Sequence, residues 1–268
     1  MLTSPHPGQR HARLQRSLRQ EYEEFILERI EEFKQQISRA DLLLIADEAV
    51  RELEVGPDDQ LLLTEVLMLE HVDRLIMRRL NLPGFRKWLT RHRRLRRAQR
   101  EPTHWGLDPR TKLVEHARSF PIDGTALVVG AGAAPACFLL AAHDWAVVFI
   151  DSEIAQVEAV ESRAAAEALA MRFEAFVVNP GTWFPEVQPT LAVIDSGMLG
   201  ALEGPERDTL LHILKQRTLS GGVHHLLFND HSDNVLPFMP EALRGCYSDW
   251  HVERARSDRS SGFMAVKP

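Results

Sequence analysis

The chain has 268 residues, 44% hydrophobic and 26% charged, with a formal net charge of −6. That is an ordinary balance for a soluble globular protein, long enough for one large domain or two modest ones, and a charge this mild names no partner. No apolar run approaches the roughly 18 residues needed to cross a bilayer. The only two cysteines, Cys137 and Cys246, form no metal pattern and read as free thiols of a reducing compartment, so a cytoplasmic protein is expected.

The first twenty residues carry Arg10, Arg13, Arg16 and Arg19 and no acid. A transit peptide is one reading. Without an apolar signal core or a small-residue cleavage site, the start of an amphipathic helix is preferred. Leu14, Leu18, Tyr22, Phe25, Ile26, Ile30, Phe33 and Ile37 recur at three- and four-residue steps, one apolar stripe along a long helix. Asp41 is a candidate cap for a second helix running through Arg51. A turn, VGPDDQ, comes next at 55–60, with Asp58 and Asp59 as caps. A leucine-rich third helix runs to about Leu80, where NLPG breaks it, and a fourth runs from Phe85 to about Gln99. The stretch REPTHWGLDP (100–109) reads as a link between this helical part and the remainder of the chain.

Beyond about residue 121 the texture changes. TALVVG (125–130), WAVVFID (145–151), FEAFVVN (173–179), TLAVID (190–195) and GVHHLLF (222–228) are short apolar runs. Helical stretches at 134–142, 152–170 and 205–217 separate most of them. Strands alternating with helices predict a parallel sheet covered on both faces. At the tail, DWHVERARS (249–257) and SGFMAVK (261–267) flank a short polar turn, which predicts an antiparallel hairpin.

The first strand ends in ALVVGAGAAPACFLLA (126–141). Gly130 and Gly132 fill the first two positions of a G-x-G-x-x-G turn, but Pro135 stands at the third. Proline suits the first turn of a helix and is a poor substitute for a glycine needed beside a pyrophosphate, so a dinucleotide is disfavoured. Asp151 closes the second strand nineteen residues after Gly132, where a doubly wound fold places the carboxylate that accepts ribose hydroxyls. Turn and acid together point to an adenosine ligand without a diphosphate.

At these residues the sequence resembles the class I S-adenosylmethionine (SAM)-dependent methyltransferases. VVGAGAAP is similar to their first motif, VFIDSE (148–153) to the second, VVNPGTWFP (177–185) to the end of the third strand, and LAVIDSGMLGAL (191–202) to the fourth strand and its loop. LSGGVHHLLF (219–228) resembles the turn before the fifth strand. The tail (237–257) is loosely similar to small-molecule members of the thiopurine and tellurite-resistance types. Two positions depart from the pattern: Val128 stands for the acid of the first motif and Ala134 for its third glycine, which raises a non-catalytic SAM-fold binding or assembly protein as an alternative.

The resemblance implies a helical domain at 1–107 and a methyltransferase domain at 108–268. The latter would be a doubly wound, seven-stranded Rossmann-like sheet with an antiparallel last strand. It implies SAM as cofactor, bound by Gly130, Ala131, Gly132, Asp151, Ser152, Asn179, Asp195 and Ser196, with no metal. The acceptor expected is a small molecule. His231, flanked by Asp230 and Asp233 at the carboxyl end of strand five, is the candidate base beside the reading of a solvated loop histidine. His104 and Trp105 read either as a substrate wall or as packed linker aromatics. Of His224 and His225, inside a strand, one is expected in the core.

The fourth helix, FRKWLTRHRRLRRAQR (85–100), carries eight Arg or Lys residues and no acid. Nucleic-acid binding, and a nucleic-acid methyltransferase, is the alternative it raises. The first helix is rich in Glu, so pairing between the two helices is the preferred account, with a homodimer through the helical domain a further option.

Overall fold

The computed structural model describes residues 17–54, 65–119, 124–169, 173–179, 183–228, 245–255 and 262–268. The chain separates into two compact units, Met1–Arg94 and Leu95–Pro268.

In the first unit α1 (Leu18–Gln36) opens on a capping box. The Ser17 hydroxyl accepts from the Gln20 amide, and the Gln20 side chain accepts from the Ser17 amide. The cap of α2 (Arg39–Glu54) is Ser38 rather than Asp41. The Ser38 hydroxyl accepts from the Asp41 amide at 3.1 Å and donates to its carboxylate at 2.7 Å, which places Asp41 inside the first turn. α3 (Glu65–Arg79) ends before Asn81, whose φ of 50° breaks the helical path. α4 (Phe85–Gln99) comes next. The core joins Tyr22, Ile26 and Ile30 to Ile45, Ala49, Val72, Leu75, Ile76 and Trp88. The expected stripe on α1 is thus buried along its middle, while Leu18 lies outside the core. Asp58 and Asp59 lie outside the described residues.

Among the described residues, acidic α1 and basic α4 form an ion pair at Glu21 and His92, 3.3 Å apart. Glu23, Glu31 and Glu32 pair instead with Arg19, Lys34 and Arg29 of their own helix. Cations one turn away on the same helix are already within reach, so these acids have no need of a second helix.

The second unit takes in the end of α4 and the stretch read as a linker. Trp105, in a 3-10 turn at Pro102–Trp105, is buried, donates from Nε1 to the Gln99 carbonyl at 2.6 Å and packs against Phe138. Gln99 donates to the Glu167 carbonyl at 2.8 Å, and Arg100 to the Ala142 carbonyl at 3.0 Å. The segment is therefore packed structure, not a free tether.

Next come α5 (Lys112–Ser119), β1 (Thr125–Val129), α6 (Ala134–Ala142), β2 (Ala146–Asp151), α7 (Ile154–Ala166) and β3 (Phe173–Val177). They are followed by β4 (Leu191–Asp195), α8 (Ser196–Ala201), α9 (Gly204–Arg217), β5 (Val223–Leu227), β6 (His251–Ala255) and β7 (Gly262–Val266). The strands form one sheet in the order β3-β2-β1-β4-β5-β7-β6. The first five are parallel; β7 runs antiparallel to both β5 and β6. This is the expected seven-stranded, doubly wound sheet. Along β1, Ala126 and Val128 face the layer built from α5, α6 and α7, while Leu127 and Val129 face that of α8 and α9. Burial on both faces explains why the strand runs are apolar at nearly every position.

Both strand histidines are core residues. His224 lies between Thr218 Oγ1 and the Tyr247 hydroxyl, at 2.7 Å from each. His225 Nε2 is 2.8 Å from Nδ1 of His116. Burial, reinforced by neighbouring positive charge, pushes each down to about 3, so both are neutral in the fold. Cys137 is a buried free thiol, and burial raises its pKa well above the ordinary value. No helix among the described residues is long and apolar enough to cross a membrane.

Candidate functional site

The sheet order reverses between β1 and β4, since β1 connects outward to β2 and β3 while β4 leads the other way. Such a switch point opens a crevice at the carboxyl ends of the two strands, where ligands of open α/β folds bind. The glycine turn stands there. The Gly130 amide donates to the Ile150 carbonyl at 2.9 Å, which carries the β1–β2 ladder one residue further. Gly130 then takes a φ of 89°, and a short 3-10 turn, Ala131–Ala133, leads into α6. A Cβ at Gly130 would lie 2.9 Å from both Asp195 Cβ and Met198 Cβ, so glycine is required by conformation and by space. Pro135 falls in the first turn of α6, where no backbone donor is needed.

Two carboxylates grip this turn. Asp151, buried at the end of β2, accepts from the Ala131 amide at 2.8 Å and from the Glu153 amide at 2.9 Å. Asp195, buried at the end of β4, accepts from the Gly132 amide at 3.2 Å and from the Gly197 amide at 3.1 Å, so it also caps α8. Burial raises the Asp195 pKa and the nearby Asp151 charge adds to this; the amides of Gly197, Gly132 and Met198 oppose it. The two carboxylates thus stand beside the turn, at the carboxyl ends of β2 and β4. Each carboxylate has about four acceptor positions, of which these two amides take two on Asp151.

The structure brings Gly130, Ala131, Gly132, Asp151 and Asp195 together. Ser196 is buried at the start of α8, while Ser152 and Asn179 are exposed just beyond β2 and β3. The Asn179 carbonyl accepts from the Trp183 amide at 3.2 Å. Trp183, 51% exposed, lies edge-on to Phe176 with ring centroids 5.6 Å apart. With exposed Val177, which pairs with Asp151 across the strands, it offers an apolar edge for a base. Trp183 was not among the residues expected from the sequence; its one signal there is an aromatic shortly beyond a strand end.

His104 and Trp105 are not at this crevice. Trp105 packs on Phe138 and under Arg163, in the layer that also holds Phe173 at the amino end of β3, and His104 is exposed beside it. Asp230, His231 and Asp233 lie outside the described residues. No group of three or more His, Cys, Asp or Glu among the described residues is placed to hold a metal ion.

No protein-family model matches the chain, and no curated protein matches it. Solved structures similar to it include the glycopeptide N-methyltransferase MtfA complexed with S-adenosyl-L-homocysteine, at TM-score 0.47 and 18% identity over 61% of this chain and 91% of that one. TehB from Haemophilus influenzae has TM-score 0.46 and 14% identity over 58% of this chain and 61% of its own. The N-methyltransferase NodS from Bradyrhizobium japonicum WM9 has TM-score 0.46 and 15% identity over 59% and 93%.

Proposed function

We propose that the chain is a SAM-dependent methyltransferase acting on a small-molecule acceptor. The observation that carries this reading is the glycine turn at the β1/β4 switch point, held between Asp151 and Asp195. The residues suit the cofactor. Gly130 leaves backbone bare for close approach, Asp151 has lone pairs for ribose hydroxyls, and Asp195 supplies negative charge for a cationic sulfonium and ammonium. Val177 and Trp183 present apolar surface for adenine, with Ser152 and Asn179 beside it, and Ser196 starts the helix that Asp195 caps.

When bound, SAM supplies an electrophilic methyl group for in-line displacement by the acceptor. The chain's own part is to bind and orient: the turn fixes one end of the ligand and Asp151 the middle. An acceptor that reacts as an anion needs no base; for an alcohol or amine, His231 with Asp230 is the proposed proton acceptor.

Calorimetric titration with SAM, S-adenosylhomocysteine and NAD tests the reading. Binding of the two adenosyl-sulfur ligands without NAD is expected, followed by methyl transfer in an acceptor screen. Binding of NAD alone, or of none, overturns it.

A further inference from the structure

The fourth helix leaves a cationic face without a protein counter-charge. Arg86, Lys87, Arg91, Arg93, Arg94 and Arg97 are all exposed. None of the six forms an ion pair among the described residues; of the α1 acids, Glu23, Glu31 and Glu32 go to cations of their own helix and Glu21 to His92. At about 100° per residue, Arg86, Arg93 and Arg97 fall on one line along α4, and Lys87, Arg91 and Arg94 on the adjoining strip. The span is about 16 Å at 1.5 Å per residue, roughly two cations per turn. Like charges this dense repel one another, and a polyanion of matching spacing relieves that repulsion.

We propose that this face docks duplex DNA through its phosphodiester backbone. Three observations select that partner. Most of the apolar side of α4 is already used: Trp88 is buried in the first unit's core and Phe85 and Leu89 pack against it, which leaves Leu95 as the one exposed large apolar side chain among its described residues, too little to enter a membrane. Those same aromatics face inward, whereas a single strand is held by exposed aromatic rings on which bases stack. The cations are nearly all arginine, whose planar fork matches phosphate. A duplex carries one negative charge per roughly 1.7 Å of axis, and the B-form major groove is about 12 Å wide, enough for a helix face. The A-form groove of RNA is too narrow. Contacts to phosphate position the protein and read no sequence.

The test is fluorescence anisotropy of the full chain with a labelled 20-base-pair DNA duplex across a salt series. Six phosphate contacts predict a slope of log K against log salt near −5, about a thousandfold loss of affinity between 50 and 200 mM. The triple variant Arg86→Ala, Arg93→Ala, Arg97→Ala should bring the slope near −3 and weaken binding at least about tenfold at 50 mM. Its thermal melt and its SAM titration should not change, since all three side chains are exposed on the helix. A failure with DNA is thereby separated from a failure of the methyl-transfer reading. No binding at 50 mM, equal binding by the variant, tighter binding of single-stranded RNA of equal length, or binding to phosphatidylserine vesicles instead of the duplex would each overturn the proposal.

Discussion

Replacing Asp151 by Asn separates two roles that one carboxylate combines. Its oxygens accept from Ala131 and Glu153 at 2.8 and 2.9 Å and so hold the turn. The amide keeps the volume and one acceptor oxygen, but its NH2 group meets a backbone donor where an oxygen stood. One bond of the turn is lost, about 1–2 kcal/mol of stability. On the ligand side, two hydroxyl bonds to a charged acceptor are worth about 1.5–3 kcal/mol each; one disappears and the other becomes a neutral bond of about 1. The net loss of about 2–5 kcal/mol weakens binding roughly 30- to 5,000-fold. Calorimetry with S-adenosylhomocysteine, on protein whose melt confirms folding, measures it. An unchanged Kd in folded Asp151→Asn would mean that the residue only braces the turn. Asp151→Ala is the poorer test, because it strands both amides and loosens the turn together with the ligand site.

Gly130→Ala should cost about 2–4 kcal/mol, from a positive φ and a Cβ forced against Asp195 and Met198, read as a lower urea midpoint. His224 and His225, held down to about 3 by burial, stay neutral in the fold, while the unfolded chain protonates them near pH 6.5. Their contribution is therefore complete above pH 6.5 and lost as pH falls toward 3, so denaturant melts at pH 7.5 and 5.5 should differ by about 3 kcal/mol. Asp195 has a raised pKa, so its charge goes at a higher pH than for an ordinary carboxylate. SAM affinity should fall on acidification, and Asp195→Asn should flatten that profile.

The central strands were legible because they are buried on both faces and so read as unbroken apolar runs, and the last two because a polar turn divides them; each observed strand lies inside a predicted one. α5 and α8 were not legible. α5 has eight residues, and α8 is six residues containing two glycines, too short for a 3.6-residue period to register; only the Asp195 cap marks its start. The link at 100–109 looked free because Pro and Gly signal a turn, but its anchors, Glu167 and Ala142, are far along the chain. The same blindness to long-range partners left Trp105 open between a substrate wall and a packed aromatic, and its contact with Phe138 decides for the second. Gly130, Gly132 and Asp151 were readable from spacing alone. The grip of Asp195 on Gly132, 63 residues away in sequence, was not.

The two departures from the methyltransferase pattern have a physical account in this chain. Ala134 has φ of −53° and ψ of −38°, an ordinary right-handed conformation, so no glycine is needed there; positive φ is demanded at Gly130 alone in this turn. Val128 is fully buried in the apolar layer with Ala126, Ala133 and Phe149. A carboxylate in those surroundings would lose its hydration without gaining a cation, at a cost of several kcal/mol. Negative charge at the turn comes instead from the ends of the two flanking strands, through Asp151 and Asp195, where backbone amides hold each carboxylate in place. Asp195 lies close enough to Asp151 for that charge to add to the rise in its own pKa. A cation at the turn would relieve that effect on Asp195, and the proposed sulfonium would be such a cation.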